Sequence, residues 1–229
     1  MLDKLEHLDQ VITLFLNGSH SLFLDGLAVS ATATVTWLPV AILLLYVIIK
    51  NNEMPGILLS VLGVALCILI ADQVASSWFK PMVARFRPTN DPSLMYLVDV
   101  VNDYRGGRYG FFSSHAANTF SVATFVSLLV RHRGLTLTLV SWALLNCWTR
   151  VYLGVHYFGD LLVGTLCGVL VGFLVYFLYK RLAQKPLPSG YVSGRIYTSS
   201  GYVVADARLL MAGMLLTYLG LCYAAWFCY

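Results

Sequence analysis

The stretch ILLSVLGVALCILIADQVAS, residues 57–76, decides the fold class of this protein. Only one of its positions, Asp72, carries a charge. A helix needs about 20 apolar residues to cross the hydrocarbon core of a bilayer, which is about 30 Å thick. The stretch has this length and composition, so it is predicted to be a transmembrane helix.

The whole chain of 229 residues follows the same trend, with 59% hydrophobic and 11% charged residues. A soluble domain of this size does not need such an excess, which indicates an integral membrane protein. Further apolar runs predict an all-α bundle of six spans, of which the first and fourth need flanking residues to complete a crossing. The predicted spans cover residues 35–49, 57–76, 116–130, 135–147, 161–178 and 209–227.

The segment 1–32 precedes these spans and begins with an amphipathic pattern. Leu2, Leu5, Leu8 and Ile12 recur at helical spacing, and charged residues fall between them. This pattern is typical of a helix that lies in the membrane interface, but a helix packed on the spans would show it too. It differs from the pattern of a cleaved signal peptide.

Cysteine and charge patterns argue against two other classes of protein. The five cysteines lie in or next to predicted spans without zinc or redox spacing, so they are interpreted as small core residues. The net charge of +4 includes no dense basic run. No nucleic-acid partner is therefore expected.

Six spans place the connecting segments alternately on two faces. One face has the denser short-loop Lys and Arg, among them Lys50, Arg131 and Lys180. Positively charged short loops remain in the cytoplasm. This face is therefore predicted to be cytoplasmic, and the loops around residues 80–114 and 148–160 are predicted to lie outside together with the N-terminus.

Three polar clusters lie on the predicted outer face, and the first is KPMVARFRP, residues 80–88. Lys80 and Arg87 are seven residues apart, so two helical turns would bring both cations to one face. Two cations at one surface would clamp a doubly charged phosphate. The alternative is a pair that extends toward anionic lipid headgroups.

The second cluster is FFSSH, residues 111–115, which precedes the third span. Either Ser113 or Ser114 can cap the helix that follows, and the free N–H groups of a helix N-terminus bind anions. His115 stands beside them. The alternative is an ordinary helix cap without a ligand.

The third cluster is TRVYLGVHYFGD, residues 149–160. His156 and Asp160 are four apart, so one helix face would hold both, with the carboxylate on one imidazole nitrogen and the other nitrogen free to attack. Arg150 adds a cation. The alternative is a structural His–Asp hydrogen bond, but the convergence of all three clusters on one face favours phosphoryl transfer.

The order Lys80-x6-Arg87-Pro88, Ser113-x-His115, Arg150-x5-His156-x3-Asp160 resembles the three-part motif of the type-2 phosphatidic-acid-phosphatase superfamily. The resemblance implies a helical membrane core over residues 33–183. Residues 184–229, predicted to form a cytoplasmic linker and an extra C-terminal span, lie beyond the part that resembles the family. The resemblance also implies an enzyme that removes a terminal phosphate from a membrane lipid without a metal or other cofactor.

The resemblance further implies residue roles. His156 would attack phosphorus and form a phosphohistidine, Asp160 would orient it, and His115 would protonate the leaving oxygen. The phosphate would be bound by Lys80, Arg87, Ser113, Ser114 and Arg150. Undecaprenyl pyrophosphate, phosphatidylglycerophosphate, phosphatidic acid and lipid A all present such a phosphate, and the expected location is a bacterial inner membrane with the site facing the periplasm.

One position departs from the family pattern, because Ser114 stands where a glycine is usual. A side chain there can crowd the approach of the backbone to phosphate. A second function class also has to be weighed: a non-catalytic phospholipid binder or flippase would use the same cations. Such a protein would not need His115, His156 and Asp160.

Overall fold

A computed structural model describes residues 2–19, 21–183 and 196–227, and these residues are helical apart from loops and two isolated β-bridges. The all-α prediction is therefore confirmed for this part of the chain. The helices are α1 (Leu2–Leu16), α2 (Leu22–Thr32), α3 (Leu38–Lys50), α4 (Met54–Gln73), α5 (Lys80–Val83), α6 (Ser114–Val130), α7 (Arg133–Tyr152), α8 (Phe158–Leu182) and α9 (Val204–Phe227).

Three helical runs within the described ranges have the length and apolar composition of a membrane span, namely Met54–Val83, Phe158–Leu182 and Val204–Phe227. A fourth is formed if Leu22–Thr32 and Thr34–Lys50, which meet at a bend of 70°, are taken together. The predicted runs 116–130 and 135–147 fall in α6 and α7, which do not meet the same criterion. Several apolar spans are confirmed, whereas the count of six remains a prediction.

The run Met54–Val83 is not a regular α-helix along its whole length. A π-helical segment, Val74–Phe79, joins α4 to α5. Pro81 lies in the first turn of α5. Proline has no backbone N–H, and its ring clashes with the preceding turn of the helix. The regular pattern of α-helical hydrogen bonds is therefore interrupted at this point. Ala84 then adopts a left-handed conformation at φ 49° and ends the helix, which turns the chain across the end of the bundle.

The pair α6 and α8 packs closely through glycines spaced four apart on α8. A Cβ placed on Gly164 would lie 2.6 Å from the carbonyl oxygen of Ser113, and one on Gly168 would lie 2.4 Å from that of Ala117. These distances are shorter than any van der Waals contact, so only glycine permits the observed approach of the two backbones. The spacing GxxxG in the sequence is the local signal for this contact.

The N-terminal segment contributes two helices with different surroundings. In α1, Leu5, Leu8 and Phe15 are exposed, and Phe15 is 86% exposed. In contrast, α2 buries Ala28 and Ala31 and packs on α7 and α9. The exposed apolar side chains of α1 agree with a helix in the membrane interface, which remains a prediction.

The C-terminal helix α9 packs against α2, α3 and α7, and it is tied to the end of α3. Lys50 Nζ lies 2.7 Å from Asp206 Oδ1, and Asn51 Nδ2 donates to Asp206 Oδ2 at 2.9 Å. These contacts define one end of the bundle. Residues 184–195, which belong to the predicted cytoplasmic linker, lie outside the described residues.

Candidate active site

The turn between α7 and α8 positions His156 at the opposite end of the bundle. Gly154 has φ +67°, a conformation that favours glycine. The chain reverses there, so that the N–H groups of Val155 and His156 both donate to the carbonyl oxygen of Arg150, at 3.1 and 3.2 Å. The end of α7 thereby fixes the backbone that carries the imidazole.

His156 and Asp160 form a buried pair, with Nδ1 and Oδ2 3.3 Å apart and side chains 1% and 0% exposed. The helical reason given for this pairing is wrong, because α8 begins only at Phe158 and His156 precedes it. The pair forms instead across the helix N-terminus, where Asp160 Oδ2 also accepts from the N–H of Tyr157 at 3.1 Å.

The contact between Arg87 and His156 determines the imidazole tautomer. Arg87 Nη1 lies 3.2 Å from His156 Nε2 and donates to the carbonyl oxygen of Val155 at 3.0 Å. A guanidinium can only donate, so Nε2 accepts and the proton is carried by Nδ1, which donates to Asp160. Burial, together with the charges of Arg87 and Arg150, lowers the pKa of His156 well below its usual value. Nε2 is therefore unprotonated, and its lone pair faces Arg87.

Lys80 and Arg87 reach the same site, but not on one helix. The helix ends at Val83, and Arg87 has extended backbone angles, φ −75° and ψ 154°. The prediction of two helical turns between them is therefore wrong, because Ala84 breaks the helix. Lys80 Nζ donates to Ser114 Oγ at 3.2 Å and to Ser76 Oγ at 3.1 Å.

Ser113 and Ser114 have different roles: Ser113 caps a helix, and Ser114 contacts a cation. Ser113 is the N-cap of α6, and its Oγ accepts from the N–H of Ala116 at 3.4 Å. Its own N–H donates to the carbonyl oxygen of Asp160 at 3.1 Å, which joins the starts of α6 and α8. Ser114 directs its hydroxyl to Lys80, so the side chain in the usual glycine position contacts a cation.

Arg150 is 3% exposed and is held by hydroxyl groups. Its guanidinium donates to Tyr104 Oη at 3.1 Å and to the hydroxyl of Thr32, and its Nε has no hydrogen-bond partner. Within the described ranges no carboxylate forms a salt bridge with Lys80, Arg87 or Arg150. The site therefore holds three cations that make no ion pair with a carboxylate in the described part of the chain.

His115 lies on the first turn of α6. Burial, together with the charges of Arg150, Lys80 and Arg87, lowers its pKa to about 3. It is partly exposed and lines a cavity of about 330 Å³ that continues into the bundle. Among the described residues, no group of three His, Cys, Asp or Glu side chains is placed to hold a metal ion.

Arg85 was not assigned a role from the sequence, although it contacts the site directly. Its Nη1 lies 3.0 Å from Asp160 Oδ1 and its Nη2 lies 2.9 Å from Asp9 Oδ2 on α1. The guanidinium also stacks on the ring of Tyr157, 3.7 Å from the ring centroid. The sequence predicted only that Arg85 and several acidic residues lie on the same face. It did not indicate that Asp9 and Asp160 are the residues that Arg85 contacts.

The chain was compared with known proteins. The profile described as "PAP2 superfamily" matches residues 58–184. A lipid A 4'-phosphatase of Bacteroides thetaiotaomicron is 37% identical over 94% of this chain and 97% of the relative. A lipid A 4'-phosphatase of Porphyromonas gingivalis is 39% identical over 73% of this chain and 72% of the relative.

One solved structure shares the fold. The crystal structure of a transmembrane PAP2-type phosphatidylglycerolphosphate phosphatase from Bacillus subtilis matches with a TM-score of 0.58 and 23% identity, over 80% of this chain and 90% of the other. These matches confirm the family resemblance that the three motifs indicate.

Proposed function

Because the chain belongs to the PAP2 superfamily and is a phosphoric monoester hydrolase, we propose that it removes the terminal phosphate of a membrane lipid through a phosphohistidine intermediate and without a metal ion. The observation that carries this proposal is the group of three cations without carboxylate partners beside a neutral imidazole. An uncompensated buried charge is costly, and a phosphate dianion compensates it while placing phosphorus next to Nε2.

In the first step, the lone pair of His156 Nε2 forms a bond to phosphorus while the bond from phosphorus to the lipid oxygen breaks. Asp160 holds the Nδ1 proton and stabilises the positive charge that develops on the ring. The phosphate dianion offsets the cations that keep His115 neutral, so His115 takes up a proton when the substrate binds. It gives this proton to the departing oxygen, so the lipid leaves as a neutral alcohol. Arg87, Lys80 and Arg150 stabilise the phosphoryl oxygens.

In the second step, water attacks the phosphohistidine. His115, now neutral, takes a proton from the water as its oxygen bonds to phosphorus and the bond from phosphorus to nitrogen breaks. Inorganic phosphate leaves, and both imidazoles return to their starting states. No electron acceptor is required.

Lipid A phosphate is the proposed substrate, since both relatives described above are named lipid A 4'-phosphatases. We place the protein in a bacterial inner membrane as a six-span bundle, with the phosphate site at the periplasmic surface and residues 184–229 forming a cytoplasmic linker and the last span. A lipid binder or flippase is a weaker proposal, because it does not require His156 and Asp160 as a buried pair.

The test measures phosphate release by the purified protein in detergent from lipid A, phosphatidic acid, phosphatidylglycerophosphate and undecaprenyl pyrophosphate, in excess chelator. We expect release to be fastest from lipid A and to be abolished in His156→Ala. His115→Ala should slow lipid A hydrolysis by about 10²–10⁴-fold. In a rapid burst measurement, which isolates the first step, it should slow p-nitrophenyl phosphate much less, because that leaving group departs without a proton.

The outcomes are distinct. Equal release by His156→Ala and the unchanged protein would exclude the phosphohistidine. Loss of release in chelator, with recovery in magnesium, would exclude the metal-independent route. No release from any lipid would exclude lipid phosphatase activity altogether.

A further inference from the structure

The cavity that begins at His115 extends along α6 into the bundle. His115, Asn118 and Val122 occupy successive turns of one face of α6 and line it from one side. Trp37, in the 3-10 turn that follows α2, and Trp142 of α7 line it from the other. Its volume of about 330 Å³ is that of a small-ligand pocket.

Two polar atoms of this lining have no protein partner. Asn118 Oδ1 and Trp142 Nε1 are both buried and make no hydrogen bond within the described residues. Buried polar atoms in proteins are almost always paired. One of the two is an acceptor and the other a donor, so together they suit a ligand that has hydroxyl or amide groups.

On the proposed mechanism, the cavity that His115 lines receives the leaving group. The attacking and departing atoms stand roughly in line on opposite sides of phosphorus during phosphoryl transfer. His156 is the proposed attacker, and the proposed acid, His115, must stand beside the departing oxygen. The part of the substrate that carries this oxygen therefore enters the cavity that His115 lines.

We propose that this cavity is the subsite for a sugar ring, so that the preferred substrates are lipids whose phosphate is esterified to a hexosamine, and that Asn118 and Trp142 determine this preference. The proposal rests on the proposed function above. The rings of Trp37 and Trp142, whose centroids are 5.9 Å apart, supply apolar surface for a sugar face, while the free amide oxygen and indole N–H bind its substituents. Diacylglycerol and polyprenyl chains have no such groups at this position.

The experiment compares Asn118→Leu and Trp142→Phe with the unchanged protein on lipid A and on phosphatidic acid. Asn118→Leu removes the unpaired amide oxygen together with the amide NH2 at nearly constant size. Trp142→Phe removes the unpaired indole N–H together with one of the two rings. We expect the ratio of kcat/KM for lipid A to kcat/KM for phosphatidic acid to fall about ten-fold in each variant, as for loss of one hydrogen bond. The ratio does not depend on the amount of folded protein.

Trp148→Phe is the matched control, because it makes the same change on the same helix at a residue that stacks on Tyr152. It should leave the ratio unchanged. A ratio unchanged in Asn118→Leu and Trp142→Phe, or changed equally in Trp148→Phe, would overturn the sugar subsite while the lipid phosphatase proposal stands. A protein inactive on every lipid would overturn both.

A second measurement needs no variant. Glucosamine 4-phosphate and glycerol 3-phosphate carry the same phosphate, and each is tested as a competitive inhibitor of lipid A hydrolysis by the unchanged protein. We expect the sugar phosphate to bind about ten-fold more tightly. Equal inhibition constants would contradict the sugar subsite.

Discussion

His156 is held by two groups with opposite effects on its two ring nitrogens. Arg87 faces Nε2 at 3.2 Å, and Asp160 faces Nδ1 at 3.3 Å. The carboxylate keeps the proton on Nδ1, and the guanidinium disfavours a second proton on Nε2. A single arginine thereby keeps the imidazole neutral and, on the proposed mechanism, also binds the phosphate.

The pKa of His156 leads to a prediction about pH dependence. Protonation of Nε2 blocks attack, and burial with the charges of Arg87 and Arg150 holds this pKa well below 6.5. Arg87→Gln removes one of these charges, so the pKa should rise and the acid limb of kcat/KM for p-nitrophenyl phosphate should move to higher pH. Arg105→Gln, at an exposed residue of the same end, should leave the limb in place. Coincident limbs in all three proteins would contradict the electrostatic role.

Arg85 positions Asp160 from the side opposite His156. Arg85→Ala leaves Asp160 Oδ1 without its ion pair, and we expect kcat to fall about ten-fold, which corresponds to about 1.4 kcal/mol in the transition state. KM should change less, because other residues bind the phosphate. Arg85→Lys should restore part of kcat by restoring the charge.

Asp9→Asn is the comparison for this prediction, since it weakens the contact between Asp9 and Arg85 and keeps the ion pair between Arg85 and Asp160. Its amide oxygen can still accept from the N–H of Gly159, as the Asp9 carboxylate does at 2.7 Å. Its kcat should lie between those of the unchanged protein and Arg85→Ala. A kcat for Arg85→Lys as low as that for Arg85→Ala would argue against positioning by charge.

At the scale of the helices, the contact between α6 and α8 determines the spacing of the site. Ser113 caps α6 two residues before His115, and Asp160 lies in the first turn of α8. The glycines of α8 allow the two backbones to approach closely enough for the N–H of Ser113 to reach the carbonyl oxygen of Asp160 at 3.1 Å. The helix that carries the acid is thus joined to the helix that follows the nucleophile.

The substitution Gly168→Ala, which adds one methyl group, tests the contact between α6 and α8. In Gly168→Ala the new Cβ would lie 2.4 Å from the carbonyl oxygen of Ala117, so the helices must separate. We expect a loss of about 1–3 kcal/mol in stability, seen as a lower thermal midpoint in detergent, together with slower phosphate release. Gly220→Ala in α9 meets nothing within 4 Å and should be neutral or slightly stabilising. Equal behaviour of the two variants would contradict the packing argument.

At the scale of the whole molecule, the bundle has one end with the phosphate site and one end with the contacts between α3 and α9. The site end includes α1 and the loop that contains Tyr96, which is 86% exposed. Arg133, at the start of α7, is exposed at the other end. These two residues are therefore suitable reporters for the orientation in the membrane.

We expect Tyr96→Cys to react with a membrane-impermeant maleimide in intact spheroplasts, and Arg133→Cys to react only after permeabilisation. The unchanged protein measures the background from its own cysteines. The reverse order of labelling would place the phosphate site in the cytoplasm and would invert the topology proposed from the basic loops.

The helical membrane class and the residues of the three motifs followed from the sequence because both signals are local. Hydropathy identifies an apolar run without any knowledge of its neighbours. The spacing from Lys80 to Asp160 likewise indicated a phosphate site, even though the helical geometry assumed for Lys80 with Arg87 and for His156 with Asp160 was wrong.

Only the tertiary structure decided which distant side chains meet. The link from Asp9 through Arg85 to Asp160 joins residues that are 76 and 75 positions apart. Other acidic residues lie on the same predicted face, and the sequence does not indicate which of them contact Arg85. The cavity beside His115 likewise requires Trp37, Asn118 and Trp142 to converge from three segments. Such contacts depend on how helices cross and where they bend, and these are set by packing over the whole bundle rather than by local pattern.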